Sequence, residues 1–300
     1  MKANRILTGL MTVLLVGSAS AAPKLKALII DGRNNHDWKT TTPQMRLLLE
    51  ETGRFTVDVA TTTPEGQPLG DFKPDFSTYD VLVCNYAELK GKKNPNPEQW
   101  PAETKTAFVN FVKNGGGVVI FHAADNAFPD WPEYNEIIGV GGWGGRTEKD
   151  GPMIRWRDGK MVLVDEPGKA GQHGPQAPFQ VVTRNREHPI TKGLPEKWMH
   201  TKDELYSTLR GPAKNITLLA TAYADPANKG TGENEPVLFT IDYGKGRVVH
   251  TALGHGVDPA MQCVGFICTF QRGTEWAATG KVTLPVPSDF PTADQESVRK

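Results

Sequence analysis

Residues 115–128 read GGGVVIFHAADNAF. Three glycines end a helix, the apolar run Val118–Phe121 makes a buried strand, and the strand stops at His122. In many α/β hydrolytic folds the turn past such a strand carries a Ser or Cys nucleophile. Here the turn offers His122, Ala123, Ala124 and Asp125, so a site at this place has no attacking group of that kind.

Working outward, Lys26–Asp31 is another short apolar run, stopped by Gly32. Phe55–Ala60 alternates as a second strand, and Tyr79–Cys84 reads as a third, buried one. Between them, Met45, Leu48 and Leu49 predict a helix over 42–52, with Pro43 near its start and Gly53 at its end. Phe108, Phe111 and Val112 predict another over 103–113. This strand–helix alternation predicts an α/β fold, an open and mostly parallel sheet with helices on both faces. Ligands of such sheets bind at the carboxyl ends of the strands. The clusters DGRNNHDW (31–38), NYAELK (85–90) and HAADNAF (122–128) should therefore gather on one rim.

The chain has 300 residues, with 34 basic and 34 acidic side chains. Residues 1–21 combine Lys2 and Arg5, an apolar run from Ile6 to Val16, and small residues ending in Ala21. That is the pattern of a secretory signal peptide, and it predicts a periplasmic or secreted protein with no membrane anchor in its mature form. Without Lys2 and Arg5 the balance falls from zero to −2, which offers nothing to attract nucleic acid. Cys84 lies in an apolar strand and Cys263 and Cys268 in an apparent helix, so buried thiols are expected rather than a disulfide.

Residues 129–178, rich in Gly, Pro and Trp, are expected to form ordered loops over the rim, with Phe179–Thr183 as a short strand. Val237–Tyr243 and Arg247–Ala252, joined by Gly-Lys-Gly, predict a β-hairpin. A helix is expected from about Pro259 to Thr279, and a mobile polar tail over 285–300.

Six motifs occur in order: NNHDW, GGGVVIFHAA, HPITKGLP, HTKDELY, GKGRVVHTALGH and RGTEWAATGKV. Together they resemble the trehalose-utilisation (ThuA-like) family, over Lys26–Thr283, giving one domain at 22–284. The resemblance implies a flavodoxin-like sheet related to class I glutamine amidotransferases. Those enzymes carry a Cys at the elbow where this chain has His122, and Cys84 sits inside a different strand, so glutamine hydrolysis is not expected. The resemblance also implies a carbohydrate substrate, in particular 3-keto derivatives of disaccharides.

His36, His122, His200 and His255 follow or end predicted elements on the inferred rim, with Asp31, Asp37, Asp125, Asp203 and Glu204 as acidic companions. Imidazole moves protons near neutral pH and binds metals. His122 is the strongest candidate, being polar and immediately past a buried strand. Asn35, Asp37 and Trp38 beside His36 suit sugar binding, and Trp131 and Trp143 are further stacking surfaces. His200 and Glu204 share a face if HTKDELY is helical and alternate with Asp203 if it is extended. Burial beside Leu205 and Tyr206 would raise the Glu204 carboxyl toward general-base values. His250 reads as a strand-packing residue, His173 as a loop residue and His188 as a turn residue, so these stay outside the site.

The expected activity is proton abstraction from a keto-sugar or 3-keto-glycoside, with elimination or isomerisation, which needs no Ser or Cys nucleophile. His122 or Glu204 would be the base, with His36 and His255 as polarising groups; Asn35, Asp37, Trp38, Asp125, His200 and Asp203 would hold the sugar. His36, His122, Glu204 and His255 are also the right ligand types for a divalent metal, though no local motif such as HExxH is present. The rivals are a non-catalytic sugar-binding protein and a metal-dependent hydrolase.

Overall fold

The computed structural model describes residues 23–64 and 66–300. The expected signal peptide, 1–21, lies outside the described residues, and no helix among those described is long and apolar enough to cross a membrane. The first half is β1 (Leu25–Asp31), α1 (Trp38–Glu50), β2 (Phe55–Thr61), β3 (Val81–Cys84), α2 (Ala102–Lys113) and β4 (Gly117–Phe121). The second half is α3 (Pro132–Ile138), β5 (Met153–Arg157), β6 (Lys160–Val164), β7 (Ala177–Thr183), β8 (Lys197–Asp203), β9 (Ile216–Tyr223), β10 (Asn234–Tyr243), β11 (Gly246–Thr251) and α4 (Val264–Thr279).

Nine strands form one sheet in the order β2-β1-β3-β4-β11-β10-β9-β7-β8. The five from β2 to β11 are mutually parallel, and the remaining neighbours pair antiparallel. Following the pairings, seven of the nine point the same way, with only β10 and β7 reversed. The predicted α/β class holds, extended by an antiparallel half.

Strand alternation explains the two cores. In β1, Leu28 and Ile30 face α2 and α3 with Phe108, Val112 and Ile137, whereas Ala27 and Ile29 face α1 and α4 with Met45, Leu49 and Phe266. Helices on both faces require both sets to be apolar. The third glycine of the opening motif has a steric cause: a Cβ at Gly117 would stand 2.4 Å from the Ala277 carbonyl oxygen, so α4 could not lie this close to β4.

Several boundaries differ from the sequence reading. α1 begins at Trp38, not Thr42, because Pro43 sits in its second turn. The only helical partner the proline removes is that of the Lys39 carbonyl, on an exposed residue. The 129–178 segment contains α3 and the β5–β6 hairpin. Asp158 and Gly159 at its tip have φ of 51° and 74°, the double left-handed turn that Asp-Gly favours. The sequence carries that signal as Asp158-Gly159, within a glycine-rich stretch that reads as loop. Trp131 is core rather than surface, stacked on Tyr134. Cys263 precedes α4 instead of lying in it, and all three thiols are free and buried. The 285–300 tail is laid along the body: Met199 N–H donates to the Thr292 carbonyl, Val264 N–H to Ser297 and Arg299 N–H to Gln262. Phe290 packs on Trp198, which gives the tail an apolar anchor.

Candidate functional site

The carboxyl ends of β1, β4, β8 and β11 point to one edge, and the residues after them are those that matter: His36, His122, Glu204 and His255. β8 is the far edge strand, four places from β11 in the hydrogen-bonded order. It is brought back by bending, and β10 has register shifts between Pro236 and Phe239, the irregularity that curves a sheet. The closure is visible at Asp203, whose carboxylate accepts the Gly254 N–H at 2.7 Å and the His255 N–H at 3.1 Å.

Glu204 is the hub. Its carboxylate lies 3.2 Å from His255 Nε2, 3.7 Å from His173 Nε2, and 3.9 Å from both His36 and His122 Nε2. The rings stand edge to face, with centroids 5.0 Å apart for His36–His122 and 4.7 Å for His36–His255. Burial alone would raise the Glu204 carboxyl, but hydrogen bonding to His36 and the neighbouring imidazoles outweigh it and hold it below its ordinary value. Glu204 is therefore a carboxylate, and the expectation of a raised general base is corrected. The surroundings counted on to be apolar are four imidazoles.

The far nitrogens fix the tautomers. His122 Nδ1 lies 2.7 Å from the Ala252 carbonyl, which can only accept, so Nδ1 carries the proton and Nε2 presents a lone pair. By the same reasoning His173 donates from Nδ1 to the Gly174 carbonyl at 2.8 Å, and His36 from Nδ1 to Asn34 Oδ1 at 3.3 Å. Asn34 is oriented by its own donation to the Asn85 carbonyl at 3.0 Å. His255 Nδ1 faces the Gln176 amide nitrogen at 3.1 Å, which leaves its Nε2–H to donate to Glu204. Burial, with His36 adding to it, lowers His122 to about 3, so it is neutral at physiological pH. His122 also holds φ at 43°, a left-handed conformation unusual for a residue with a Cβ, and its ring lies beneath the cavity with Nε2 toward Glu204.

The cavity above Glu204 has a volume of ≈ 440 Å³, walled by Asn35, Asp37, Trp143 and Tyr206 among others. It shares Asn35, Leu89 and Trp143 with a wider cleft of ≈ 1130 Å³ that Trp38 also lines. Small-molecule sites occupy roughly 300–1,000 Å³. Asn35, Asp37 and Trp38 thus stand where a ligand passes.

Three expected sugar-binding residues do not. Asp125 is wholly buried and pairs with His250 Nε2 at 3.3 Å, while His250 Nδ1 donates to the Ile138 carbonyl. His200 and Asp203 are buried too and bond each other at 2.8 Å, because HTKDELY is a strand through Asp203 with a register shift opposite Ala177 and Phe179, which brings the two side chains to one side. These three brace the rim from below. Asp31 is likewise buried, its carboxyl raised by desolvation. Conversely, His173, which the sequence places in a loop outside the site, belongs to the cluster. Its loop precedes β7, one of the two reversed strands, so its start shares the same edge. The signal that could have found it is a His followed by Gly, the context it shares with His255. Tyr206, its ring 4.2 Å from that of His122, was read only as an apolar neighbour.

A seven-against-two sheet bearing a histidine–carboxylate cluster on its carboxyl edge, and a histidine at the elbow, defines an amidotransferase-like scaffold without the amidotransferase nucleophile. The chain belongs to the ThuA family, trehalose utilisation, whose model matches residues 26–277. Family membership gives it a carbohydrate-related role. A ThuA-like protein from Parabacteroides merdae, known from its crystal structure, is 47% identical over 92% of this chain and 98% of its own, with a TM-score of 0.87. A second, from Bacteroides uniformis, is 20% identical over 88% of this chain and 95% of its own, with a TM-score of 0.51, a likeness of fold alone. No curated protein matches the chain.

Proposed function

We propose that the protein is an exported, carbohydrate-processing enzyme that removes a proton beside the carbonyl of a keto-sugar or 3-keto-glycoside, followed by elimination or isomerisation. The observation that carries this reading is the convergence of four imidazoles on one carboxylate at the floor of a sugar-sized cavity. Family membership supports the substrate class.

The geometry favours different roles from those the sequence suggests. His122 is buried and Glu204 nearly so, at 2% and 11% side-chain exposure, which suits fixed groups of the floor. His173 is the most open member, at 37%, and its free Nε2 lone pair makes it the base. In a 3-keto-glycoside it takes the C2 proton while the C2–H electron pair becomes the enolate at C3. The His255 Nε2–H, the imidazole donor that lines the cavity, stabilises the oxyanion. Collapse restores the C3 carbonyl, forms the C1–C2 double bond and expels the anomeric substituent, which regains the proton from the His173 imidazolium. Returning the proton at a different carbon instead gives isomerisation.

Incubation with 3-keto and unmodified disaccharides, followed by mass spectrometry, tests the reading. The keto-sugar should lose its anomeric substituent or isomerise, and His173→Ala should lower kcat by about 10²–10⁴. Binding without turnover would assign the sugar-binding alternative; turnover indifferent to His173→Ala would remove the base from its role.

A further inference from the structure

We propose that His36, His122 and Glu204 form a binding site for a divalent first-row transition-metal ion. One ring nitrogen from each histidine and one carboxylate oxygen lie within 4.8 Å of one another. Ligand bonds of about 2.0–2.2 Å set neighbouring donors roughly 3.0–3.5 Å apart. Glu204 Oε2, at 3.9 Å from both nitrogens, needs to close by less than an ångström. Two imidazoles and one carboxylate grouped on one side, with open positions opposite, is a recurrent arrangement for such ions.

The tautomers make the stronger case. His122 commits its Nδ1 proton to the Ala252 carbonyl, so its Nε2 presents a bare lone pair toward the Glu204 carboxyl group. Two acceptor atoms facing each other, His122 Nε2 and a Glu204 oxygen, gain nothing from the contact. His122 Nε2 is fully buried and has no hydrogen-bond partner at all. Leaving such an atom unpaired costs about 1–3 kcal/mol, which a cation between the three donors would remove. Anchoring of the remote nitrogen by a carbonyl or amide oxygen is also how metal-ligating histidines are held. The Asn34–Asn85 and Ala252 contacts then serve as the outer supports of the centre.

The imidazole-rich donor set selects Zn²⁺, Fe²⁺, Co²⁺, Ni²⁺ or Mn²⁺ over Ca²⁺ or Mg²⁺, which prefer all-oxygen sites. The site stands on geometry alone; its use, to polarise the substrate carbonyl, rests on the enolisation reading.

The test uses the full chain, stripped with a chelator and checked by circular dichroism for native structure. Co²⁺ is then titrated while its visible d–d absorption is followed, and Zn²⁺ and Mn²⁺ by calorimetry. One equivalent per chain is expected, with affinity weakened at least about 10-fold by His36→Ala and by Glu204→Gln. The His36 and Glu204 side chains keep 12% and 11% exposure against 2% for His122, so these variants disturb packing less than His122→Ala would. His188→Ala, remote from the site, should bind as the parent does. A folded parent that takes up no ion at about 1 mM, or stoichiometric binding untouched by both variants, overturns the site. Binding without turnover of keto-sugars would sink only the enolisation reading, and turnover by the metal-free chain only the use of the ion in the reaction.

Discussion

Asp203 shows how much of this site depends on a residue that never meets the ligand. One oxygen accepts the Glu204 N–H at 2.8 Å and the His255 N–H; the other accepts the Gly254 N–H and bonds His200 Nε2. The carboxylate thus pins together the loops that carry two members of the cluster. It is held below its ordinary pKa: burial opposes ionisation, but the His200 contact and the backbone donor outweigh it. Asp203→Ala strands those donors in a dry environment and should cost about 3–5 kcal/mol, read by urea denaturation. Asp203→Asn keeps one acceptor oxygen and should lose less stability while still disturbing turnover. Equal stability of Asp203→Ala and the parent would refute the brace. The residue was visible in the sequence as an acid beside Glu204. Its orientation was not, because a carboxylate ligand and a carboxylate brace look alike until the backbone donors around them are placed.

At the scale of elements, turn geometry separates what shapes the site from what does not. Gly254 ends the strand–turn that delivers His255, with φ of +98° and a Cβ position only 2.7 Å from the Phe121 ring and 2.8 Å from that of Phe266. Gly159, in the β5–β6 turn, has φ of +74° but nothing within 4 Å. Gly159→Ala should cost about 1 kcal/mol from backbone strain and leave activity alone. Gly254→Ala adds overpacking of about 1–3 kcal/mol and should displace His255, so kcat falls along with stability. Thermal melts and kinetics on the two variants check this, and parallel behaviour would contradict it. The strands and helices of the first half were legible because each buries a periodic apolar face. The hairpin at 153–164 was missed although Asp-Gly marked it, since surrounding glycines suggested loop throughout.

For the whole molecule, acid is the revealing stress. His188 lies in the loop between β7 and β8, with its ring 4.8 Å from that of Trp276 in α4, and its Nδ1 accepts the Ile190 N–H at 3.3 Å. Burial lowers its pKa from 6.5 to about 4, against a smaller opposing pull from Asp242. Between those values the unfolded chain binds a proton that the folded chain does not, so stability rises with pH across this window. The contribution is complete above 6.5 and lost as pH falls through about 4. Melting temperature should therefore drop between pH ~7.5 and ~4.5, and drop less in His188→Gln, whose amide oxygen can take the same N–H. An identical drop in both proteins would exclude His188 as a source.

Local pattern was enough to settle the α/β class, the parallel first half and the edge on which His36, His122 and His255 lie. Alternation and helical spacing are properties of neighbouring residues, and the carboxyl-edge rule follows from strand direction. Only the tertiary structure decided that β8 bends back to bring Glu204 among the histidines, that the His173 loop joins them, and that Asp125 and His200 turn inward. Those outcomes depend on strand order, on the irregular pairing of β10 and on hydrogen bonds between residues more than a hundred positions apart, such as His122 with Ala252 and Asp125 with His250. Such contacts leave no periodic trace in the chain.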